Sequence, residues 1–553
     1  MKRPLFRALA AIFAFLFLYL PVENAWGQAP NWQWALSPGY GEAASVAVGT
    51  GGSSVVCGTF RNRATFGAIS LTSPNFEDMF VAKLSSSGAY EWAVNTGNMN
   101  GVKGYAVATD PTGNVYVAGE FSDTVHFGSS VLICNGFSDV FIAKLSPAGV
   151  WQWAVRGGGS SFDGGNGLVV DSRGDVYVTG WFFSPTVSFG STTCMNQGTS
   201  TDLFVAKLSA AGVWQWAVSA GGTMEDDLRQ GPAIDSHGNI LVAGTFTSLT
   251  STFGATTLNH EPNTVGFGDV FVAKVNPSGI WQWATQVGGY GVDHGFGIGA
   301  DSLGNAYLMG EFTGDTLTIG ATKLVNDGIA SGNHAVFVAK LNPAGSWEWA
   351  VDIDSASCYY GRGIAVDGGG NTYLTGQFFT PTIRVGGTVL TNNGLGSGHD
   401  CFVAKLNPAG VWQWAVSAGG PGNDFSQGIA ADGQGGVWVV GRYNGGTSIF
   451  GATTLSQPMF RDAIFLARLG ATGVGLPPEV SDVTGLMLAP NPARGTTRVM
   501  GAAGVRVTLV DLLGRIIRDV PAGFDVVTLE LGELTAGLYV VRAGGQTRRL
   551  VVE

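Results

Sequence analysis

The chain has 553 residues, 45% of them hydrophobic and only 12% charged, with 86 glycines and a formal net charge of −11. So little charge excludes a coiled coil, a polyelectrolyte tail and a disordered segment, and so much glycine without a Gly-X-Y period excludes collagen and favours a turn-rich β protein. The acidic balance, with no Lys/Arg clusters, argues against a nucleic-acid partner. The five cysteines (Cys57, Cys134, Cys194, Cys358, Cys401) are widely spaced and never form CxxC, so no zinc, redox or disulfide framework is expected.

In chain order, Lys2, Arg3 and Arg7 precede an apolar run over residues 8–22 that is short for a membrane span and reads as a signal peptide. Ala25, Trp26 and Gly27 fit a small-x-small cleavage site, with Gln28 as the new N-terminus. No other run approaches ~18 apolar residues, so no stable membrane span is expected and the positive mean hydropathy of +0.21 is assigned to buried strands and this signal.

Residues 31–470 repeat with a period of 58 to 67, measured between successive tryptophans at 34, 92, 153, 216, 283, 349 and 414. Three landmarks recur seven times. An apolar run, a tight turn and a second run come first, as in GLVVDSRGDVYVTG (167–180) and GIGADSLGNAYLMG (297–310). FVAKL or a variant follows, starting at Phe80, Phe141, Phe204, Phe271, Phe337, Phe402 and Phe465. WxWA or YEWA ends the unit, starting at Trp32, Tyr90, Trp151, Trp214, Trp281, Trp347 and Trp412. Short apolar runs punctuated by Gly, Asn, Asp and Pro are strand and hairpin chemistry. In six copies FVAKL's Phe lies ten residues before the next aromatic, a fixed-register hairpin. Four strands in roughly 63 residues is the size of a β-propeller blade. The region opens with a lone WxWA and ends with a lone FLARL (465–469), so the first strand is expected to complete the last blade and close a ring. The expectation is an all-β, seven-bladed β-propeller over 28–470, after a signal over 1–27.

Most recurring side chains have structural explanations. Thirteen of sixteen Trp sit in WxWA, where an i, i+2 pair shares a strand face and fills the space between blades. Lys83, Lys144, Lys207, Lys274, Lys340 and Lys405 occupy one register position, and Asp110, Asp171, Asp235, Asp301, Asp367 and Asp432 another, at a turn whose amides an Asp can accept. Eight residues before the turn Asp stand Asp163, Asp227, Asp293 and Asp424, a ring of carboxylates for a cation or cationic ligand at the channel mouth; the plainer role is capping of their own Gly-rich loops. The connection from the second strand to FVAKL varies from 22 to 27 residues on that same face, as a binding surface would. His294 beside Asp293, and Trp181 as an exposed aromatic, complete the candidates. No GxSxG, HExxH, Walker loop or EF-hand occurs, so no catalytic residue and no cofactor is assigned beyond a divalent cation on that ring.

The pattern DxFVAKLxPxGxWxWA, followed by the apolar pair with its Asp-x-x-Gly-Asn turn, resembles the bacterial SBBP β-propeller repeat. It departs at Gly49, Ser53 and Arg468. After a linker at 471–479 the composition changes to eight Arg and no Lys. LAPNPA (488–493), VTLVDLLGRII (507–517) and LGELTAGLYVVRA (531–543) resemble the type A C-terminal sorting domain of type IX secretion, with Ala489 in place of the usual Tyr. The matching positions are Pro490, Asn491, Pro492, Asp511, Gly514, Arg515, Gly537 and Tyr539. The resemblance implies a small β-sandwich over 480–553, the type IX machinery as partner, and delivery through the periplasm and across the outer membrane to the surface or medium. The resulting expectation is a monomeric, non-enzymatic binding or adhesion module for a glycan or protein. A polysaccharide hydrolase or lyase using acids at the channel mouth, and a cation-dependent scaffold, are the alternatives.

Overall fold

The structure, a computed structural model, describes residues 29–470 apart from 98–100, 261–267, 327–333, 354–357, 395, 397 and 458–460, together with 487–489, 496–500, 506–511, 515–521, 526–532, 534–535, 537–543 and 546–552. The predicted signal segment with Gly27 and Gln28, and the tail residues Pro490, Asn491, Pro492 and Gly514, lie outside these. The chain divides into two compact units, Met1–Thr472 and Gly473–Glu553.

The first unit is built from repeated four-stranded antiparallel sheets whose strand order follows the chain. Asp163–Val170, Val176–Phe182, Asp202–Leu208 and Trp214–Ala220 form one such sheet. The FVAKL strand is apolar at consecutive positions because both of its faces are covered by neighbouring sheets: Val140, Phe141, Ile142, Ala143 and Leu145 are all fully buried. In one repeat the innermost strand is broken into Asp226–Asp227 and Ala233–Ile234, both paired to Ile240–Phe246. The innermost strands of successive sheets lie against one another. The last, Asp424–Ala431, also lies against the first, Gly39–Val48, so the sheets close around a central cavity. Asn31–Leu36 pairs antiparallel with Ala463–Gly470, which makes the start of the chain the outer strand of the last sheet.

A two-stranded hairpin inside the second-to-third strand connection is not anticipated by the sequence reading. Thr124–Phe127 with Ser130–Ile133, and Thr186–Phe189 with Thr192–Met195, are examples. These hairpins divide the work of the two tryptophans, so the pair does not simply fill the space between sheets. The first indole packs on a hairpin phenylalanine of its own repeat: Phe127 on Trp151 at 5.1 Å and Phe253 on Trp281 at 5.2 Å, both edge to face. The second reaches the next repeat. Trp283 Nε1 donates to Pro343 O at 3.2 Å, and its ring lies so close to Gly345 that a Cβ there would fall 2.8 Å from the indole. Gly345 is doubly required, since its φ is +82°. Trp283→Ala is therefore expected to cost about 2 kcal/mol, a half-buried fraction of the usual Trp truncation, read as a melting temperature lowered by several degrees without loss of β-sheet signal.

The second unit contains a three-stranded sheet of Met487–Ala489, Thr496–Met500 and Val526–Glu530, and a four-stranded sheet of Ile516–Val520, Val507–Val510, Gly537–Ala543 and Gln546–Val552. Alternating residues, Val507 and Leu509, Val527 and Leu529, meet Tyr539, Val541 and Leu550 in one core. Arg515 folds back on Asp511, its backbone N–H 2.9 Å from Oδ1 and its Nε 2.6 Å from Oδ2.

Candidate functional site

The recurring polar residues are occupied by the scaffold. Asp110 accepts from the amides of Thr112 and Asn114, the Asn114 side chain at 2.7 Å and the Tyr116 hydroxyl at 3.1 Å. Burial raises its pKa, but these donors outweigh burial and hold the carboxyl below the ordinary range. Lys207 sits 2.9 Å from Asp175 and over the Tyr177 ring, and Lys274 sits 2.8 Å from Asp235.

Asp163, Asp293 and Asp424 do not form a ring at the cavity; each is buried at the outer end of an innermost strand, turned toward its own loop. Asp163 accepts from Gly159 N at 2.7 Å and Ser184 Oγ at 2.8 Å, Asp293 from Gly289 N at 2.7 Å and Asp424 from Gly420 N at 2.9 Å. Asp227 is not their equivalent. The broken strand carries one more residue before its turn, so Asp226, paired to Phe246 as Asp163 is to Phe182, takes the capping place. Asp227 is displaced to the cavity wall. Each capping Asp is in electrostatic contact with the Asp that opens the third strand: Asp163 with Asp139, Asp226 with Asp202, Asp293 with Asp269, Asp424 with Asp400. Burial, reinforced by the facing charge, pushes Asp226 and Asp293 up to about 7 and Asp424 up to about 8. Burial alone raises Asp202 and Asp400 to about 6. Among the described residues no group of three or more His, Cys, Asp or Glu is placed to hold a metal ion.

The residues that do line the central cavity come from a backbone device. Each continuous innermost strand carries a register shift against the second strand, and the extra residue is Ala44, Tyr105, Asn166, Phe296, Arg362 or Gln427. All six line one cavity of about 720 Å³, and Gln230 of the broken strand joins them. A β-bulge bends the strand and re-aims the side chain it leaves unpaired. The residues flanking the bulge are small because neighbouring innermost strands touch there: a Cβ on Gly297 would come 2.9 Å from Ile364, and one on Gly363 2.9 Å from Ile429. The scaffold repeats and the aimed residue does not. These side chains escaped the sequence reading, which stepped back eight residues from the turn Asp; stepping back five gives Tyr105, Asn166, Gln230, Phe296, Arg362 and Gln427, one position where the repeats disagree between small neighbours.

A second non-repeating set flanks the bulges, where the innermost and second strands pair: Glu42 with Thr59, Lys103 with Glu120, Gly164 with Trp181, Asp227 with Thr245, His294 with Glu311, Phe425 with Arg442. Trp181, Asp227 and His294 fall in this set, whereas Asp163, Asp293 and Asp424 precede it. On one side the charges neutralise each other: Arg61 on Glu77 at 3.3 Å, Lys103 on Glu120 at 2.9 Å, Arg442 on Asp462 at 2.9 Å. On the other, Arg229 lies over the Phe296 ring at 5.6 Å and 3.5 Å from His294 Nε2, with Thr245 Oγ1 3.3 Å from His294 Nδ1. Burial and the Arg229 charge lower the His294 imidazole to about 4, so it is neutral at neutral pH.

Comparison with known proteins finds one family match within the repeated region. A family model described as "SBBP: Beta-propeller repeat" matches residues 282–314. The chain is 23% identical over 453 residues to an uncharacterised WD repeat-containing protein of Acanthamoeba polyphaga mimivirus, covering 68% of this chain and 32% of that one. It is 26% identical over 359 residues to the regulatory protein FlaEY of Caulobacter vibrioides, covering 60% and 36%. The chain thus spans about a third of the length of the curated relatives it matches. Among solved structures, a PL25 ulvan lyase bound to a glucuronate-rhamnose sulfate unit aligns at TM-score 0.40 and 12% identity over 73% of this chain and 91% of that one. The first unit is an all-β fold of repeated sheets. No helix among the described residues is long and apolar enough to cross a membrane.

Proposed function

We propose that the chain is an exported, seven-bladed β-propeller acting as a binding module, carried to the cell surface or the medium by a C-terminal β-sandwich of the type IX sorting kind. One observation carries the binding reading: repeated bulges aim non-repeating side chains into a single cavity. Recurrent Trp, Lys and turn Asp build the scaffold, which leaves those positions for recognition. Trp181 lines the cavity, so ligand entry should shift tryptophan emission. The test is a screen of glycans and peptides against the chain and against a variant with Tyr105, Phe296 and Arg362 changed to alanine. Ligands should be lost from the variant, and ligands that bind both equally would place recognition elsewhere. Deleting residues 473–553 should strand the first unit in the periplasm; unchanged surface delivery would refute the sorting role.

A polysaccharide-cleaving enzyme is the second reading, favoured by the Arg229 guanidinium 3.5 Å from His294 Nε2, a cation to hold a substrate oxyanion beside a group that can exchange a proton. Release of unsaturated or reducing-end product from any bound polysaccharide would establish it over simple binding.

A further inference from the structure

Several basic residues of the first unit meet at one cavity, which Glu42, Glu77, Asp227 and Asp462 also line. Outside the recurrent FVAKL position there are eleven Lys and Arg between residues 29 and 470, and five of them, Arg61, Lys103, Arg229, Arg362 and Arg442, line the one cavity. This occurs in a region whose net charge is −13 once the near-neutral ends are set aside. Arg61, Lys103 and Arg442 have carboxylates within 3.3 Å. Arg229 and Arg362 come from the two repeats flanking Phe296, and Asp227, which lines the cavity near Arg229, has its pKa raised by burial against the pull of the Arg229 charge. Phe296 is 2% exposed, and the Arg229 guanidinium carbon lies over its ring, 5.6 Å from the centre.

Around this basic wall stand carboxamides from Asn166, Gln230 and Gln427 and the flat side chains Tyr105 and Trp181. Carboxamides that both donate and accept, next to aromatic faces, suit sugar hydroxyls and ring faces. A peptide would bring an unpaired backbone that needs a free strand edge, and the innermost strands here lie against one another. The cavity volume of about 720 Å³ falls within the range of ~300–1,000 Å³ for small-ligand sites, enough for a short oligosaccharide and too little for a folded partner.

We propose that the cavity binds an acidic oligosaccharide, with a carboxylate or sulfate ester held between Arg229 and Arg362 beside Phe296 and with the sugar hydroxyls on Asn166, Gln230 and Gln427. The proposal rests on the cavity being the binding site. Planar bidentate guanidinium contacts suit either oxyanion.

The experiment is titration calorimetry on the full chain with trigalacturonate, its methyl ester and a chondroitin 4-sulfate tetrasaccharide, repeated on Arg229→Gln, Arg362→Gln and Arg362→Lys with melting temperatures recorded. Trigalacturonate or the sulfated probe should bind, and the methyl ester should bind at least tenfold more weakly than the free acid. Each Gln variant should lose tenfold or more while melting within a few degrees of the native chain, with Arg362→Lys intermediate. A preference for the carboxylate or the sulfated probe identifies the oxyanion. Equal affinity for acid and ester, or Gln variants that bind as well as the native chain, overturns the proposal. Should the ester bind equally yet be lost on Phe296→Ala, the anion assignment fails and the cavity stands. Binding of every probe indifferent to all these substitutions, or absent altogether, sinks both.

Discussion

Deleting residues 29–36 should open the ring and cost the first unit most of its stability. Asn31–Leu36 is the outer strand of the last sheet, and without it Ala463–Gly470 becomes a bare hydrogen-bonding edge. Two aromatic anchors go with it. Trp32 packs edge to face on Phe450 at 5.0 Å and donates from Nε1 to Ser417 O at 3.4 Å, while the Trp34 indole covers the Gly88 turn of the first repeat. Losing two half-buried tryptophans is worth roughly 5 kcal/mol, a large share of the 5–15 kcal/mol that separates a folded domain from its unfolded chain. The truncated chain should melt more than 10 °C lower or associate through its exposed edge. A peptide of residues 29–36 added in trans should recover part of the loss. Circular-dichroism melting with light scattering decides it, and an unchanged, monomeric melt would show that the strand does not close the fold.

The melting temperature should peak near pH 5 and fall toward pH 9. Folded-state pKa values of about 7 for Asp226 and Asp293, about 8 for Asp424 and about 6 for Asp202 and Asp400 lie above the ordinary carboxylate value of ~3.9. A raised folded pKa means that the native state holds the proton more tightly than the unfolded chain. Its stabilising effect is complete below the unfolded value and is lost as pH rises through the folded one. Asp110 and Asp235 are held below the ordinary value, so their contribution disappears on further acidification and sets the lower flank. Across pH 5 to 9 the fall should be on the order of 5 °C or more. One pair supplies the control. Arg156 Nη1 lies 2.6 Å from Asp139, which faces Asp163, whereas the position matching Arg156 beside Asp400 is Ser417, paired to Phe402 as Arg156 is to Phe141. Ser417→Arg should raise the melting temperature at pH 8 and leave it almost unchanged at pH 5. A flat profile in the native chain would contradict the burial of these acids in charged-averse surroundings.

The strand pattern, the FVAKL to WxWA hairpin and the completion of the last sheet by Asn31–Leu36 could be read from the chain because each depends on local periodicity and on which landmark stands unpaired at either end. The hairpins at positions such as Thr124–Phe127 were readable too, since a turn Gly follows an aromatic or aliphatic residue in that connection in every copy, but the segment looks like a variable loop until its Phe is seen against Trp151. The site resisted for a different reason. A bulge inserts one residue and shifts the register by one, so counting back from Asp171 to Asp163 crosses it unseen, and the added residue before Ala233 moves Asp227 out of the capping place that Asp226 fills. Convergence of Tyr105, Phe296 and Arg362 depends on ring closure over hundreds of residues, which no local pattern encodes.

The bulges also separate two selective demands that most binding proteins must meet with the same residues. Because the bulged residue takes no part in the ladder and its small neighbours carry the strand contacts, its side chain can be exchanged without re-optimising the sheet that holds it. Duplicated repeats that began identical could then diverge in specificity by single codon changes at one position per repeat. The same independence makes positions 44, 105, 166, 362 and 427 a compact, combinatorial library, whereas Phe296, buried with Met309, Val336 and Leu374, also serves the core.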